Sequence, residues 1–358
     1  MNPGPGAGAR GGAGPRAMDA RGWPFVDLHA HLNGCVRHDT LRELAGDDAT
    51  RKRVDRLDDA PAKTLAECFE YFAIVHRVVA DADALRRIAR ETAEDFASQG
   101  AVHVELRTTP KVSDKLDKRG YVKAVLDGLH EASSADACSW RLVLSVNRAE
   151  DLSAAMETVA VASEFRGQVV GVELSGDPTI AGAWEKLRPA FDDARARGLK
   201  VSLHCAEVDA QVASGEALAM INWNPDRVGH AVRTDEAFEA ALLASRIPVE
   251  ICLTSNLVTE AAARCAKGLV DDHVFRILWA AESHGHPLCV CTDDPSLFRV
   301  TGRSELALAQ RSFGLSDEDV AKLVRYGASA AFFVDEDAGR AQAMRDEVER
   351  RLDQCLRA

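Results

Sequence analysis

Eight runs of mainly apolar, often β-branched residues recur along the chain, and each is followed by polar residues or glycine. The runs are 25-FVDLHAHL-32, 101-AVHVELRTTP-110, 141-RLVLSVNR-148, 169-VVGVELSGD-177, 200-KVSLHCAEV-208, 227-RVGHAV-232, 248-PVEICLTSN-256 and 287-PLCVCTDDP-295. Several are almost continuously apolar, as strands of a parallel sheet buried on both faces are. Segments with helical spacing, such as 151–166 and 183–198, lie between them. The alternation predicts an α/β fold, a (β/α)8 TIM-type barrel.

Two regions of the chain are longer than the eight strand–helix units of a barrel require. The stretch between the first and second runs is longer than one helix, so we expect additional helices there, including 64–80, packed over one barrel end. The segment 316–334 and the charged stretch after it are predicted to form closing helices at the C-terminus. Residues 1–23 are rich in Gly, Ala, Arg and Pro and lack the apolar core of a secretory signal. We expect a disordered N-terminal tail over 1–23 and a single barrel domain over 24–358.

Net charge, apolar runs and cysteine usage argue against several classes of protein. The net charge of −12 argues against sequence-independent binding to nucleic acid, which needs a basic face. No apolar run approaches the roughly 20 residues of a membrane helix. The nine cysteines are odd in number and scattered, and Cys205, Cys252, Cys289 and Cys291 lie in apolar runs. This usage is typical of reduced, buried thiols, so we expect a cytoplasmic protein without a disulfide framework.

Titratable residues cluster at the predicted C-terminal ends of the strands, where barrel enzymes carry their reactive groups. His29 and His31 are two residues apart on a strand and therefore share a face. Alone, most of these signals have a structural explanation: His204 suits a hydrogen-bonded core histidine, and Asp294 suits a helix start before proline, which leaves Asp293 without a reason. Together, three imidazoles and a carboxylate predict one Zn²⁺ per chain, although this ligand set also admits iron or manganese.

Five motifs, in this order and spacing, resemble the adenosine/AMP deaminase family of amidohydrolases. They are HAHLNG (His29–Gly34), SGDP (Ser175–Pro178), HCAE (His204–Glu207), VGHA (Val228–Ala231) and TDDP (Thr292–Pro295). The resemblance extends from about Phe25 to about Phe333 and implies a metallo-dependent hydrolase that deaminates a purine.

The resemblance also implies a role for each matched position. His29, His31, His204 and Asp293 are the expected zinc ligands. Glu207 is the expected acid that protonates the purine ring nitrogen beside the reacting carbon, and His230 is expected to orient the attacking water and help deprotonate it. Further substrate contacts are expected from the side chains of His31 and Asp294 and from the backbone of Gly176.

Position 33 suggests which branch of the family is involved. Adenosine deaminases carry aspartate after HxHL, where it meets the ribose 5′-hydroxyl, whereas this chain has Asn33. A carboxylate would repel a 5′-phosphate, but an amide can donate a hydrogen bond to it. We expect the phosphate to be bound by hydroxyls and a lysine at the end of the second run, together with a histidine of the inserted helices. These further substrate-binding residues are Thr108, Thr109, Pro110, Lys111, His76 and Asn147, the last at a position where relatives often carry aspartate.

These features resemble the adenosine deaminase-like branch, whose members hydrolyse N6-methyl-AMP to IMP and methylamine. The expected partner is therefore a small purine nucleotide, with neither nucleic acid nor membrane, and we expect a monomer. Three alternatives remain open. The chain could deaminate adenosine, with Asn33 a tolerated variant; it could act on another N6-substituted or aminopurine base; or it could be a non-catalytic purine-binding protein on the same scaffold. Retention of every expected ligand and of Glu207 and His230 weighs against the last.

Overall fold

The computed structural model describes residues 22–59, 64–132, 138–259, 273–280, 286–334 and 337–357. Eight parallel strands form one sheet in sequence order, each strand paired with the next. Their bounds are β1 Phe25–His31, β2 Ala101–Thr108, β3 Ser139–Asn147, β4 Val169–Ser175, β5 Lys200–Cys205, β6 Arg227–His230, β7 Val249–Ile251 and β8 Leu288–Val290.

The sheet closes on itself where the last strand meets the first. Ala30 and Asp293 form a parallel bridge. The backbone N–H of Asp293 donates to the carbonyl of His29 at 2.7 Å, and the N–H of His31 donates to the carbonyl of Asp293 at 2.8 Å. The predicted (β/α)8 barrel is thereby confirmed, and its closure brings predicted metal ligands from the first and last runs side by side.

Helices surround the barrel and extend it at the two predicted places. Four lie between β1 and β2, and three follow the short helix after β8. The helices of the described residues are α1 His38–Leu44, α2 Asp48–Asp59, α3 Leu65–Val78, α4 Ala82–Ser98, α5 Lys118–Glu131, α6 Leu152–Glu164, α7 Ala183–Ala196, α8 Asp209–Ala213, α9 Glu216–Asn222, α10 Glu236–Ser245, α11 Leu253–Val258, α12 Val274–Ala280, α13 Pro295–Phe298, α14 Gly302–Phe313, α15 Asp317–Ala330 and α16 Ala338–Arg357.

Side-chain caps fix where many of these helices begin. Asp81, Asp117 and Asp151 each accept a hydrogen bond from the backbone N–H three residues ahead, at the start of α4, α5 and α6. Thr301 and Ser316 form capping boxes at the start of α14 and α15. These bonds satisfy N–H groups that the first helical turn leaves without partners.

The barrel interior is charged, whereas the layer between strands and helices is apolar. Glu105, Arg107, Glu173, Arg227 and Glu250 come from strands β2, β4, β6 and β7, are fully buried and pair with one another. The alternate residues of the strands belong to the large apolar core. The period of two along a strand produces this division, because successive side chains point to opposite faces.

Two boundaries differ from the sequence prediction. The run 248–256 contains only a three-residue strand, β7, and then the helix α11. A short apolar run carries no periodicity that separates strand from helix. Trp23, assigned to the N-terminal tail, is 1% exposed and belongs to the hydrophobic core, because burial removes its large apolar ring from water, and Arg303 of α14 donates to its carbonyl at 3.0 Å. The rest of that predicted tail, residues 1–21, lies outside the described residues.

The cysteines agree with the sequence analysis. Cys205, Cys252, Cys289 and Cys291 are buried free thiols, and the eight cysteines of the described residues form no disulfide with one another. None of the helices described is both long enough and apolar enough to cross a bilayer.

Candidate active site

A cavity opens at the C-terminal end of the barrel, and most of the predicted site residues line it. Those that do are His31, Asn33, His76, Thr108, Thr109, Asn147, Gly176, His204, Glu207, His230, Asp293 and Asp294. The structure places three others elsewhere. His29 is fully buried behind the cavity wall, Pro110 is buried, and Lys111 is exposed at the rim.

Four predicted metal ligands converge on one point. Nε2 of His204 lies 3.1 Å from Nε2 of His29 and 3.2 Å from Nε2 of His31. Oδ1 of Asp293 lies 3.4 Å from Nε2 of both His29 and His31. All four ligand atoms lie within 4.8 Å of one another.

This donor set fits a metal ion. Burial holds the pKa of His204 well below its usual value, so its ring is neutral and its Nε2 lone pair is available. Three imidazole nitrogens and one carboxylate oxygen that face a common centre are the ligands preferred by divalent transition metals. The four residues could therefore hold one metal ion, with the cavity beside it for a reactant.

Strained backbone places several of these side chains. Ala206, His230 and Asp293, at the ends of β5, β6 and β8, have φ angles of 53°, 63° and 63°. Residues other than glycine seldom adopt this left-handed conformation, and it costs on the order of 1–3 kcal/mol per residue. Gly229, before His230, is in close contact with the His29 ring, since a Cβ there would lie 2.8 Å from Cε1 of His29.

A layer of buried charges lies directly beneath the ligands. Nδ1 of His29 donates to Glu250 at 2.8 Å, and Glu250 also accepts from Arg227 at 2.6 Å. Arg107 pairs with both Glu250 and Glu173. Burial alone would raise the pKa of Glu250, but Arg107 and Arg227 hold it well below its usual value. Glu250 is thus a carboxylate that orients His29 with Nε2 toward the site.

Glu207 occupies an environment that favours its neutral form. Burial raises the pKa of its carboxyl to about 7. Within the part of the chain that the structure describes, its Oε1 has no hydrogen-bond partner and lies 3.6 Å from the Arg148 guanidinium. Its backbone N–H donates to Gln211 at 2.9 Å, which fixes the turn after β5. The side chain can therefore give a proton to a group in the cavity.

Asp294 Oδ1, like Glu207 Oε1, has no hydrogen-bond partner among the described residues. Asp294 precedes Pro295 at the start of α13, yet its side chain makes no capping hydrogen bond. Burial, and then the charge of Asp293, raise its pKa well above the usual value. The helix-cap explanation for Asp294 is therefore wrong for its side chain, which lines the cavity instead.

Asn33, His76 and Lys111 form a chain along one wall. Nζ of Lys111 donates to Nδ1 of His76 at 2.7 Å, and the Asn33 amide lies 2.9 Å from Nε2 of His76. The Asn33 atom next to Nε2 is Nδ2. Because Lys111 occupies the Nδ1 lone pair, the neutral ring carries its proton on Nε2, so the Asn33 amide has to be turned over to accept that proton with its oxygen. Burial lowers the pKa of His76 to about 4, which keeps the ring neutral. The amide N–H groups of Asn33 then remain for another partner.

Comparison with known proteins agrees with this geometry. The sequence model described as adenosine deaminase matches residues 24–351. The N6-mAMP deaminase of Arabidopsis thaliana is 38% identical over 343 residues, 87% of this chain and 93% of the relative. The N6-methyl-AMP deaminase of Homo sapiens is 31% identical over 313 residues, 83% of this chain and 85% of the relative. The chain belongs to the adenosine deaminase family.

A solved structure of the family has the same fold. The crystal structure of Arabidopsis ADAL complexed with IMP superimposes with a TM-score of 0.85 at 37% identity, covering 94% of this chain and 98% of that chain. Family membership makes this chain an enzyme, a hydrolytic deaminase that acts on carbon–nitrogen bonds, in a metallo-dependent hydrolase family.

Several residues that shape the site in this chain were not predicted from the sequence. The apolar side of α3 supplies Leu65, Phe69 and Phe72 to the cavity wall. Its helical spacing was visible in the sequence, but the face it turns to the cavity was not. Fully buried Arg148 donates to the carbonyl of His204 at 2.6 Å and to that of Gly176 at 3.1 Å, so it fixes two strand ends. No local pattern marks such an arginine, because its partners are 28 and 56 residues away.

Two residues predicted to contact the substrate already form hydrogen bonds within the protein. The hydroxyl of Thr108 shares a hydrogen bond with the Tyr121 hydroxyl at 2.8 Å. Oδ1 of Asn147 accepts from the backbone N–H of Ala149 at 2.9 Å. Gly176 has a φ of 96° and lies so close to the Asn147 amide that a Cβ there would be 2.8 Å from it. Only glycine fits at position 176, which leaves its backbone open to the cavity.

Proposed function

We propose that this enzyme is a zinc-dependent deaminase that converts N6-methyl-AMP, and related N6-substituted purine nucleotides, to IMP and methylamine. The relatives named N6-methyl-AMP deaminase, and the related Arabidopsis protein that binds IMP, support this substrate class. The observation that carries the proposal is the wall built from Asn33, His76 and Lys111, which offers hydrogen-bond donors and a cation at the rim of the cavity.

That wall suits a 5′-phosphate. The phosphate carries a charge of about −1.5 to −2 near neutrality and accepts several hydrogen bonds. Lys111 supplies a cation, and the amide of Asn33 supplies N–H donors where a carboxylate would repel the phosphate. Thr108, the last residue of β2, and Thr109 also line this cavity.

The chemistry begins with attack of water on the purine carbon that bears the substituted amine. A zinc ion held by His29, His31, His204 and Asp293 would polarise this water and supply the nucleophile. Attack places negative charge on the adjacent ring nitrogen. Glu207, whose pKa is raised to about 7, gives its proton to that nitrogen.

Three other groups hold the reactants in place. His230 holds the attacking water from the end of β6. The protonated carboxyl of Asp294 donates to a second ring nitrogen, and the backbone of Gly176 meets the purine edge. Fixing the ring and the water together removes much of the entropic barrier to attack. Glu207, now a carboxylate, takes one proton from the added water and passes it to the amine nitrogen, and the carbon–nitrogen bond breaks. The second water proton returns to Glu207, so the amine leaves, the keto form of the ring is the product and the acid is restored.

The decisive experiment compares hydrolysis of N6-methyl-AMP, AMP and adenosine by the purified zinc-loaded enzyme, with the released amine identified by chromatography. We expect the highest kcat/KM for N6-methyl-AMP, with methylamine released. Preference for adenosine would move the enzyme to the nucleoside deaminases and remove the role assigned to Asn33 and Lys111. No turnover of any purine would leave only binding.

A further inference from the structure

Asn256, the fourth residue of α11, lies between two buried imidazoles. Its Nδ2 is 3.0 Å from Nδ1 of His230, and its Oδ1 is 3.3 Å from Nε2 of His273. The three side chains are 1% to 3% exposed. We call this set, with the backbone N–H of Phe275, the Asn256 relay. Neither Asn256 nor His273 has a role in the chemistry described above.

The hydrogen bond between the Phe275 backbone and His273 determines which atoms of the relay donate and which accept. The backbone N–H of Phe275 donates to Nδ1 of His273 at 3.1 Å. A backbone N–H can only donate, so Nδ1 of His273 must present a lone pair. The proton of that ring therefore resides on Nε2, the atom that faces Asn256.

The orientation of the Asn256 amide in turn fixes the tautomer of His230. Nε2–H of His273 needs an acceptor, and the amide oxygen of Asn256 is the atom in reach. The amide NH₂ is then turned toward His230 and donates to its Nδ1. Since an amide nitrogen cannot accept a hydrogen bond, Nδ1 of His230 also presents a lone pair. The ring proton of His230 is consequently on Nε2.

We propose that Asn256 and His273 are positioning residues that hold His230 in the tautomer protonated at Nε2, so that His230 donates a hydrogen bond to the attacking water instead of taking a proton from it. The assignment of the tautomer rests on hydrogen bonds of the protein alone, and its consequence for the water rests on the proposed function. Nε2 of His230 is directed to the cavity and lies 3.8 Å from Oε2 of Glu207.

The resemblance to the family implied that His230 both orients the attacking water and helps deprotonate it. The tautomer protonated at Nε2 removes the second role and keeps the first. A nitrogen that already carries its proton has no lone pair in the ring plane and cannot act as a base. As a donor, it can instead hold the water oxygen in line with the reacting carbon and stabilise negative charge that develops there. The relay supplies this orientation before substrate binds, because all of its members are fixed in the fold.

The tautomer can be measured directly by NMR. We would label the histidines with ¹⁵N, record two-bond ¹H–¹⁵N correlation spectra of the zinc-loaded enzyme, and assign His230 by comparison with His230→Gln. The cross-peak pattern expected is that of a ring protonated at Nε2. The pattern of a ring protonated at Nδ1 would overturn the proposal. This result does not depend on turnover, so it stays separate from a failure of the proposed substrate.

Asn256→Asp is the informative variant, because a carboxylate can only accept. It should move the His230 proton to Nδ1 and lower kcat by roughly 100-fold with little change in KM, the loss typical of a removed donor at a reacting oxygen. If His230 is a base, the new carboxylate partner would preserve or raise kcat. Preserved turnover, or an unchanged tautomer, would therefore contradict the relay.

A pair of variants at position 273 tests the relay without a charge change. His273→Leu removes the donor that fixes the amide and should give mixed His230 tautomers with a kcat lower by roughly 10-fold. His273→Gln keeps an N–H donor near the same place and should restore most of that loss. Equal spectra and equal kcat for wild type, His273→Leu and His273→Gln would assign His273 a packing role only and overturn the proposal.

Discussion

Nδ1 of His29 lies 2.8 Å from Oε2 of Glu250, and both side chains are completely buried beneath the cavity. With Nδ1–H donated to this carboxylate, Nε2 of His29 faces His204 and Asp293, and a metal ion bound there would take the place of a proton on Nε2. Glu250 is in turn paired with Arg107 and Arg227. A predicted metal ligand is thus oriented by a residue of another strand, 221 positions away.

Glu250→Gln should therefore weaken metal binding. We expect the affinity for zinc to fall roughly 10- to 100-fold, as is usual when the partner of a ligating histidine is lost. Competition with a chromophoric chelator measures it, and circular dichroism checks that the variant folds. Ser202→Ala is the matched control, because Ser202 donates to the same carboxylate at 3.0 Å without contacting the ligand ring. Equal zinc affinities in wild type and Glu250→Gln would show that Glu250 does not orient His29.

Removal of the metal should abolish activity and spare the fold. The four ligands come from β1, β5 and the end of β8, which are already joined by strand pairing, so the barrel does not need the ion to close. We expect chelation to lower kcat to background while the far-ultraviolet circular dichroism is retained, and added zinc to restore turnover. Full activity in protein shown to be metal-free by elemental analysis would exclude the proposed mechanism.

Glu207→Gln should remove the proton donor without disturbing the metal ligands. The amide has the size of the carboxyl but no acidic proton, so we expect kcat to fall by roughly 10²- to 10⁴-fold. Zinc content, measured by elemental analysis, should stay at the wild-type level, since Glu207 makes no contact with the ligand atoms. Gln211→Ala, which removes the acceptor of the Glu207 backbone N–H and leaves the Glu207 carboxyl in place, is a milder control. Wild-type turnover by Glu207→Gln would disprove the assignment of the acid.

Asn33→Asp should lower activity on the 5′-phosphorylated substrate more than activity on the nucleoside. The new carboxylate repels a 5′-phosphate by several kcal/mol at close range, so kcat/KM for N6-methyl-AMP should fall at least roughly 10-fold more than kcat/KM for N6-methyladenosine. Steady-state kinetics on the two substrates gives the ratio. Asn147→Asp is the control, because it makes the same charge change at another strand end of the same cavity. Equal losses on nucleotide and nucleoside would leave the phosphate without its proposed partner.

The carboxyl of Glu305 should make stability depend on pH. It is 1% exposed, accepts from the backbone N–H of Thr254 at 3.0 Å, and has a pKa raised by burial to about 7, above the 4.5 of an unfolded chain. The folded state therefore binds the proton more tightly. Its contribution is fully present below pH 4.5 and is lost as pH rises through about 7.

Glu305→Gln, which is neutral at every pH, should remove this dependence. Its amide can still accept from the Thr254 N–H and donate to the Thr254 hydroxyl. Relative to wild type, the variant should gain on the order of 2–3 kcal/mol in free energy of unfolding between pH 5 and pH 8, measured by denaturant titration at each pH. A difference between the two proteins that stays constant with pH would mean that Glu305 titrates normally.

The site residues that could be predicted from the sequence are those that belong to short motifs. HAH places two imidazoles on one strand face, and a buried histidine or a pair of carboxylates at a strand end requires a reason wherever the strand lies. These local rules and the family resemblance gave the barrel, the four candidate ligands and Glu207. They failed at β7, where three strand residues and a helix share one apolar run.

What the sequence alone determined is the alternation of strands and helices and the identity of the groups at the strand ends, because both follow from periodicity over a few residues. Only the tertiary structure decided how those groups are held. Glu250 beneath His29, Arg148 across the ends of β4 and β5, and His273 behind Asn256 act over long separations in the chain. Their roles depend on which nitrogen or oxygen faces which neighbour. Barrel closure sets that geometry, and no local pattern contains it.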